Sequence, residues 1–307
     1  MINHFSMFLS GGWSLLRLIA VVSSSVTTVI SSLLPLLLYT SFSTSNFVFM
    51  FFFLSAGAVV IHGLLTHLFN DYADFLSGTD EHSPAILSGG SRVIQKGILK
   101  PEVVWRLGRL LAILLLMAAV LLAIIGHGKI SLLILVGVWA AASYSLSPLR
   151  LSYRPFLGEW LSLFPSMFLL GLAGPWLIMD VIPMWAVQNA LINALVCMAW
   201  VMVHHIPDLE ADQKAKPIKV TTVVWFAKKF GVNFAYFPAL FYLMLAGLVP
   251  IWLAFTRLTA AFLLIVLISF AIYLVTHLDI KNHHQVSKSE KGLLLIAMLI
   301  GLVLGIF

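Results

Sequence analysis

Long apolar runs separated by short polar stretches set the pattern of this chain. Nine such runs fall at roughly 13–40, 47–69, 102–126, 129–146, 159–179, 184–206, 233–255, 258–278 and 290–307. A helix needs about 17–25 residues to cross a bilayer, and each run has roughly that length. Turn chemistry breaks the pattern at Gly126-His127-Gly128, Pro148, Pro183 and Pro250. The pattern therefore predicts an all-α integral membrane fold of about nine transmembrane helices. No soluble domain, low-complexity segment or short-period repeat interrupts it, so residues 1–307 read as a single transmembrane domain.

Composition narrows the picture further. Hydrophobic residues make up 61% of the 307 and charged residues only 10%, which excludes a pair of soluble domains; soluble chains carry about 25% charged residues. The N-terminus lacks a basic segment followed by a small-residue cleavage site, so its first apolar run reads as a span and not as a cleaved leader. The single cysteine, Cys197, lies within an apolar run and reads as a packing residue.

The connections alternate in character. Those after the first, third, fifth and seventh runs are short, and Lys129 and Arg257 are their only Lys or Arg residues. Those after the second, fourth, sixth and eighth hold nearly all the polar chemistry, including Arg92, Lys96, Lys100, Arg150, Arg154, Lys214, Lys216, Lys219, Lys228 and Lys229, with Arg17 nearby. Basic loops stay in the cytoplasm, so the polar loops and the N-terminus are expected there. The net charge of +6 is spread between apolar runs and not gathered in one patch. It therefore points to a lipid bilayer and not to nucleic acid.

Two acidic sets sit on that polar side. Asp71 and Asp74 follow the second run and are three residues apart, so on a continuing helix they share a face. Asp208 and Asp212 follow the sixth run and are four apart, with the same consequence. Carboxylates at two helix ends suit Mg²⁺, which keeps waters and shares its shell with substrate phosphates; the site would then bind a diphosphate. The competing reading of either pair alone is a solvated charge at a helix end.

Asn70-Asp71-x-x-Asp74-x-x-x-Gly78-x-Asp80 with a later Asp208-x-x-x-Asp212 resembles the UbiA superfamily of intramembrane prenyltransferases. The first block, continued by Gly89-Gly90-Ser91-Arg92-Val93-Ile94-Gln95, looks most like the 1,4-dihydroxy-2-naphthoate polyprenyltransferase branch. Tyr144 through Arg154, and Gly158-Glu159, are similar to the middle loop of that family. The resemblance implies one helix bundle around a central cavity, with a cytoplasmic polar cap formed by loops 70–101 and 207–232. It also implies Mg²⁺-dependent transfer of a prenyl group from a polyprenyl diphosphate to an aromatic acceptor. The acceptor it suggests is 1,4-dihydroxy-2-naphthoate, in menaquinone biosynthesis.

Under that resemblance Asp71, Asp74, Asp208 and Asp212 are the expected metal ligands, and Asn70 orients the first pair or ligates directly. Asp80 and Glu210 read more simply as solvated loop charges. Cations assist a departing diphosphate, and the candidates are Arg92, Arg150, Arg154, Lys216 and Lys219, with Tyr153 beside Arg154 as a further diphosphate contact. Relatives carry a Gly-Lys-x-Thr segment near Lys219. This chain instead reads Ala215-Lys216-Pro217-Ile218-Lys219-Val220-Thr221-Thr222, without that Gly and with an inserted Pro. His67, one turn before Asn70, is a candidate to contact the acceptor, take up a proton or stabilise a cation; the alternative is a histidine bonded between helices. His204 and His205 are adjacent and point to different faces, which disfavours one zinc site using both, and His283-His284 reads as a solvated loop pair.

Two rivals remain open at the level of sequence. A terpene cyclase of the same superfamily would use the same acidic site without an acceptor. A transporter would place its charges near the midplane on broken helices.

Overall fold

The computed structural model describes residues 18–84, 88 and 90–307. The expected start of the first span at 13, Arg17 and Gly89 lie outside the described residues. Among the described residues the chain is all-helical, and nine helices are long and apolar enough to cross a membrane. They are α1 (Leu18–Tyr39), α2 (Thr44–Ser77), α4 (Pro101–Ile124), α5 (Gly128–Ser145), α6 (Glu159–Ile178), α7 (Met184–His204), α10 (Val232–Leu253), α11 (Leu258–Thr276) and α12 (His283–Ile306). Among the described residues three short α-helices lie between them, α3 (Thr79–His82), α8 (Leu209–Lys214) and α9 (Thr222–Phe230), together with a 3-10 turn at Leu151–Tyr153.

Most boundaries match the apolar runs, because burying helix in lipid rewards apolar length directly. Two differ. Helix α2 continues past residue 69 to Ser77, so the first acidic block lies on the helix itself. It stops at Gly78, whose φ of 75° is the left-handed conformation that ends helices. Helix α12 begins at His283, so His283 and His284 are first-turn residues and not a loop pair; the Asn282 side chain caps the backbone N–H of Gln285.

Helix α7 is the centre of the bundle. Its apolar window is 83% buried, against 11% for α4, which faces outward. It packs against α1, α6, α10 and α12. Lipid supplies no hydrophobic force between helices, so close packing and polar bonds hold them together. Asn189 on α7 donates to the carbonyls of Ser31 and Leu304 at 3.0 Å each, and Asn193 donates to the Ser31 hydroxyl at 2.6 Å. At Gly171 a Cβ would sit 2.8 Å from the Ala190 backbone, so this crossing of α6 and α7 requires glycine. Cys197 is buried in the same packing, as expected.

Helices α1, α2 and α6 each contain a π-helical stretch, at Val22–Val26, Val59–Thr66 and Glu159–Leu163. Such widened turns re-aim side chains and occur often at functional sites. All three contribute residues to the same internal cavity, including Ser25, His62 and Ser162.

Candidate active site

The first acidic block is built on the last two turns of α2. Asp71 and Asp74 are 2% and 6% exposed, and they project from one face with Asn70. The Ser145 hydroxyl donates to Asn70 Oδ1 at 3.1 Å, which turns the Asn70 amide toward Asp74 Oδ2, at 2.8 Å. Asn70 thus orients Asp74. Asp71 accepts hydrogen bonds from the Ser91 hydroxyl and, at 3.4 Å, from the Ser91 backbone N–H.

After Gly78 the chain folds back through α3 and brings Asp80 to the same place. Asp80 is 3% exposed and accepts from Gln95 Nε2 at 2.9 Å. The expectation of a solvated loop charge is therefore overturned for Asp80. It holds for Glu210, which is exposed and lies 3.7 Å from Lys214. Gly90 explains how the loop passes so close. Its φ is 69°, and a Cβ there would meet the Asp80 carboxylate oxygens at 3.2 and 3.3 Å and Asp71 Oδ1 at 3.5 Å.

The second block is not a simple continuation of α7. That helix ends at His204, and Pro207 lies in the turn that follows. Asp208 then starts α8, with the Asp212 N–H donating to the Asp208 carbonyl at 2.8 Å. Asp208 accepts from the hydroxyls of Ser83 and Ser88, both on the first polar loop. The backbone N–H of Lys216 donates to the Ser77 carbonyl at 2.8 Å, and α8 packs on α3. The two acidic helix ends, more than 130 residues apart in sequence, thus share one cap.

Lys219 lies between them. Its Nζ is 2.8 Å from Asp74 Oδ1 and 3.8 Å from Asp212 Oδ1, with its side chain only 8% exposed. Among the described residues Asp212 Oδ1 has no hydrogen-bond partner. Burial pushes the Asp80 carboxyl up to about 8, with the Asp74 and Asp71 charges adding to the shift. Burial also raises Asp208, and it raises Asp212 well above the usual carboxylate range. Burial alone would lower Lys219, but the Asp74 and Asp212 carboxylates override it and hold the ammonium well above its ordinary value.

The remaining predicted cations divide. The Lys219 ammonium and the guanidinium of Arg150 both lie over the Tyr153 ring, at 5.8 and 5.5 Å from its centre. Arg92 has a left-handed backbone (φ 58°) and donates to the Ser83 carbonyl, which braces the loop. Arg154 and Lys216 are exposed and are not brought to the cavity.

The acidic cap closes one end of a cavity of about 510 Å³. Asn70, Asp74, Asp208 and Lys219 line its polar end, while Phe53, Leu54, Leu133 and Leu170 line its apolar part. His67 also lines it, with Nδ1 donating to the Gly63 carbonyl at 2.9 Å. His62 bonds the Ser25 hydroxyl at 2.7 Å. His204 pairs with Glu290 on α12, and His205 lies 3.1 Å from the Tyr144 hydroxyl. Adjacent histidines do point to different partners. Sequence reasoning passed over Glu290, a fully buried carboxylate near the start of the last span. An acid at that position was a legible signal, since intramembrane ionisable groups are rarely idle.

Among the described residues no three His, Cys, Asp or Glu side chains are arranged as a ready metal site. The donor chemistry nevertheless fits a hard divalent cation. Asp71, Asp74, Asp80, Asp208 and Asp212 supply only oxygen ligands, one ammonium faces them, and Asp212 keeps an orphaned buried oxygen.

A family model described as the UbiA prenyltransferase family matches residues 24–300. No curated protein and no solved structure matches the chain.

Proposed function

Since this chain belongs to the UbiA prenyltransferase family, we propose that it moves a prenyl group from a polyprenyl diphosphate to an aromatic acceptor, in a reaction that depends on Mg²⁺. One observation carries this reading. The two acidic helix ends converge, with Lys219 between them, at the polar end of a cavity that continues among membrane helices past Phe53, Leu54, Leu133 and Leu170. A molecule with a multiply charged head and a long hydrocarbon tail matches both ends.

Asp71, Asp74, Asp208 and Asp212 would hold Mg²⁺, with Asp80 beside them. When bound, the metal supplies Lewis-acid stabilisation of the negative charge that builds on the departing diphosphate. Lys219 adds a point charge at the same place, and its two carboxylate partners keep it protonated. Asn70 keeps Asp74 turned to the site through its bond from Ser145. The apolar wall holds the prenyl tail and limits water around the allylic cation, which would otherwise be captured as an alcohol. The acceptor then attacks the allylic carbon. The likeness of residues 70–80 and 89–95 to the dihydroxynaphthoate branch supports 1,4-dihydroxy-2-naphthoate as acceptor, and with it a role in menaquinone biosynthesis.

The test uses the full chain in lipid nanodiscs with geranylgeranyl diphosphate, Mg²⁺ or EDTA, and either 1,4-dihydroxy-2-naphthoate or 4-hydroxybenzoate. Products are read by mass spectrometry. A prenylated aromatic formed only with Mg²⁺ is expected. A cyclic hydrocarbon formed without acceptor would replace transfer by cyclisation, and turnover in EDTA would remove the metal.

A further inference from the structure

Helices α2 and α5 run side by side in the same direction. Ser145 meets Asn70 near the cap. Farther from the cap on both helices Gly137 meets Ile61, and a Cβ on that glycine would sit 2.9 Å from Ile61 Cδ1. The cavity follows this seam, bounded by α2 from Asp74 back to Phe53 and by α5 from Tyr144 back to Ile130. At a rise of about 1.5 Å per residue, α2 covers about 30 Å between Asp74 and Phe53, which is the thickness of the hydrocarbon layer. The cavity thus leads from the polar cap toward the opposite leaflet.

Gly57 lies on this path, about 25 Å along α2 from Asp74 by the same rise. Its backbone is ordinary right-handed helix, so no positive φ calls for glycine there. Close packing does not call for it either. Among the described residues a Cβ at Gly57 would meet nothing within 4 Å, whereas one at Gly137 or Gly171 would collide with the facing helix. Glycine weakens a helix relative to alanine. What it provides at this position is open space in the wall of the cavity.

We propose that Gly57 is a specificity-determining residue for tail length: it keeps the seam between α2 and α5 open, so that a prenyl tail of more than about five isoprene units runs past it to Phe53. The inference rests on the transferase reading in taking a prenyl diphosphate as the occupant. With C–C bonds of about 1.5 Å, each four-carbon repeat of an extended tail advances about 5 Å. A farnesyl tail, about 15 Å long on that scale, ends beside the π-helical turns of α2, short of Gly57. A hexaprenyl tail, about 30 Å long, has to pass Gly57 and ends at the level of Phe53.

The test sets equimolar farnesyl and hexaprenyl diphosphates in competition, with the full chain in nanodiscs, Mg²⁺, 1,4-dihydroxy-2-naphthoate and 4-hydroxybenzoate. The ratio of hexaprenyl to farnesyl product, read by mass spectrometry, does not depend on how much of a variant is folded. Wild type should use both donors. Gly57→Phe should lower the ratio at least about tenfold, the scale on which an apolar pocket discriminates a single methylene. Gly57→Leu should lower it less. An unchanged ratio in Gly57→Phe, or a wild type that refuses the hexaprenyl donor, overturns the proposal, because the tail would then leave the bundle before reaching Gly57. A diazirine at the far end of each tail reads the path without turnover. The hexaprenyl probe should label Phe53–Gly57 or the facing turn of α5 at Ile130–Leu133, and the farnesyl probe should label α2 nearer the cap; identical labelling by both also overturns the proposal. Labelling at Phe53–Gly57 with no aromatic product would remove the transferase reading and leave the tail path standing. Aromatic product with an unchanged ratio would do the reverse.

Discussion

Lys219→Met offers a direct measure of the charge stored in the acidic cap. The substitution keeps most of the length of the side chain and removes the ammonium bonded to Asp74 and near Asp212. All three side chains are less than a tenth exposed, so water cannot take over the work of the ammonium. Removing one partner of a buried ion pair costs about 3–5 kcal/mol. With roughly 2–4 °C per kcal/mol, as for domains of moderate size, the unfolding midpoint in EDTA should fall by about 6–20 °C. Divalent metal should return much of that loss. A cation present at 100 times its dissociation constant contributes about 2.7 kcal/mol, and the variant should bind it more tightly than wild type. The sign with pH also follows. Burial raises the Asp212 carboxyl in the folded protein, so the folded state holds a proton that the unfolded chain releases. The contribution of Asp212 to stability is then greatest at low pH and declines as pH rises toward the folded value. Losing Lys219 should therefore cost more at pH 8 than at pH 5. The measurement is thermal unfolding in nanodiscs, with and without MgCl₂, at both pH values. A variant as stable as wild type in EDTA at pH 8, or one indifferent to Mg²⁺, would refute a cap held together by charge balance.

Asp71→Asn and Asp208→Asn should each slow prenyl transfer about a thousandfold, corresponding to about 4 kcal/mol of lost transition-state stabilisation. The double variant should be only slightly worse, because groups acting as a unit are not additive; near-normal rates in either single variant would detach the cluster from catalysis. Mg²⁺ affinity should rise by up to about tenfold per pH unit below pH 8, since a metal must displace the proton that burial holds on Asp80 with its value near 8. Calorimetry in two buffers of different ionisation enthalpy would count that proton, and flat affinity between pH 6 and 8 would exclude Asp80 from the site. Lys214 is exposed on α8, so Lys214→Cys in intact cells should resist a membrane-impermeant thiol reagent added outside; ready labelling would invert the expected cytoplasmic orientation.

The nine helices were legible in the sequence because crossing a bilayer is a local matter. Apolar length and an internally bonded backbone decide it, and both can be read along a single run. The pairing of Asp71 with Asp74 was legible for the same reason, since spacing on one helix sets a shared face. Asp80 was not: it looked like a loop charge until Gly90 and Gln95, on a segment that folds back over it, closed off the water. Lys219 and Lys216 were equivalent as sequence, and only the docking of α8 against α3 sent one between two carboxylates and the other to the surface. Glu290 acquired a partner from α7, 86 positions away, and the π turns of α1, α2 and α6 opened toward one cavity. These are relations between helix faces. They depend on how whole helices pack, where one-residue shifts in register move a charge from solvent to interior, and no window along the chain contains that information.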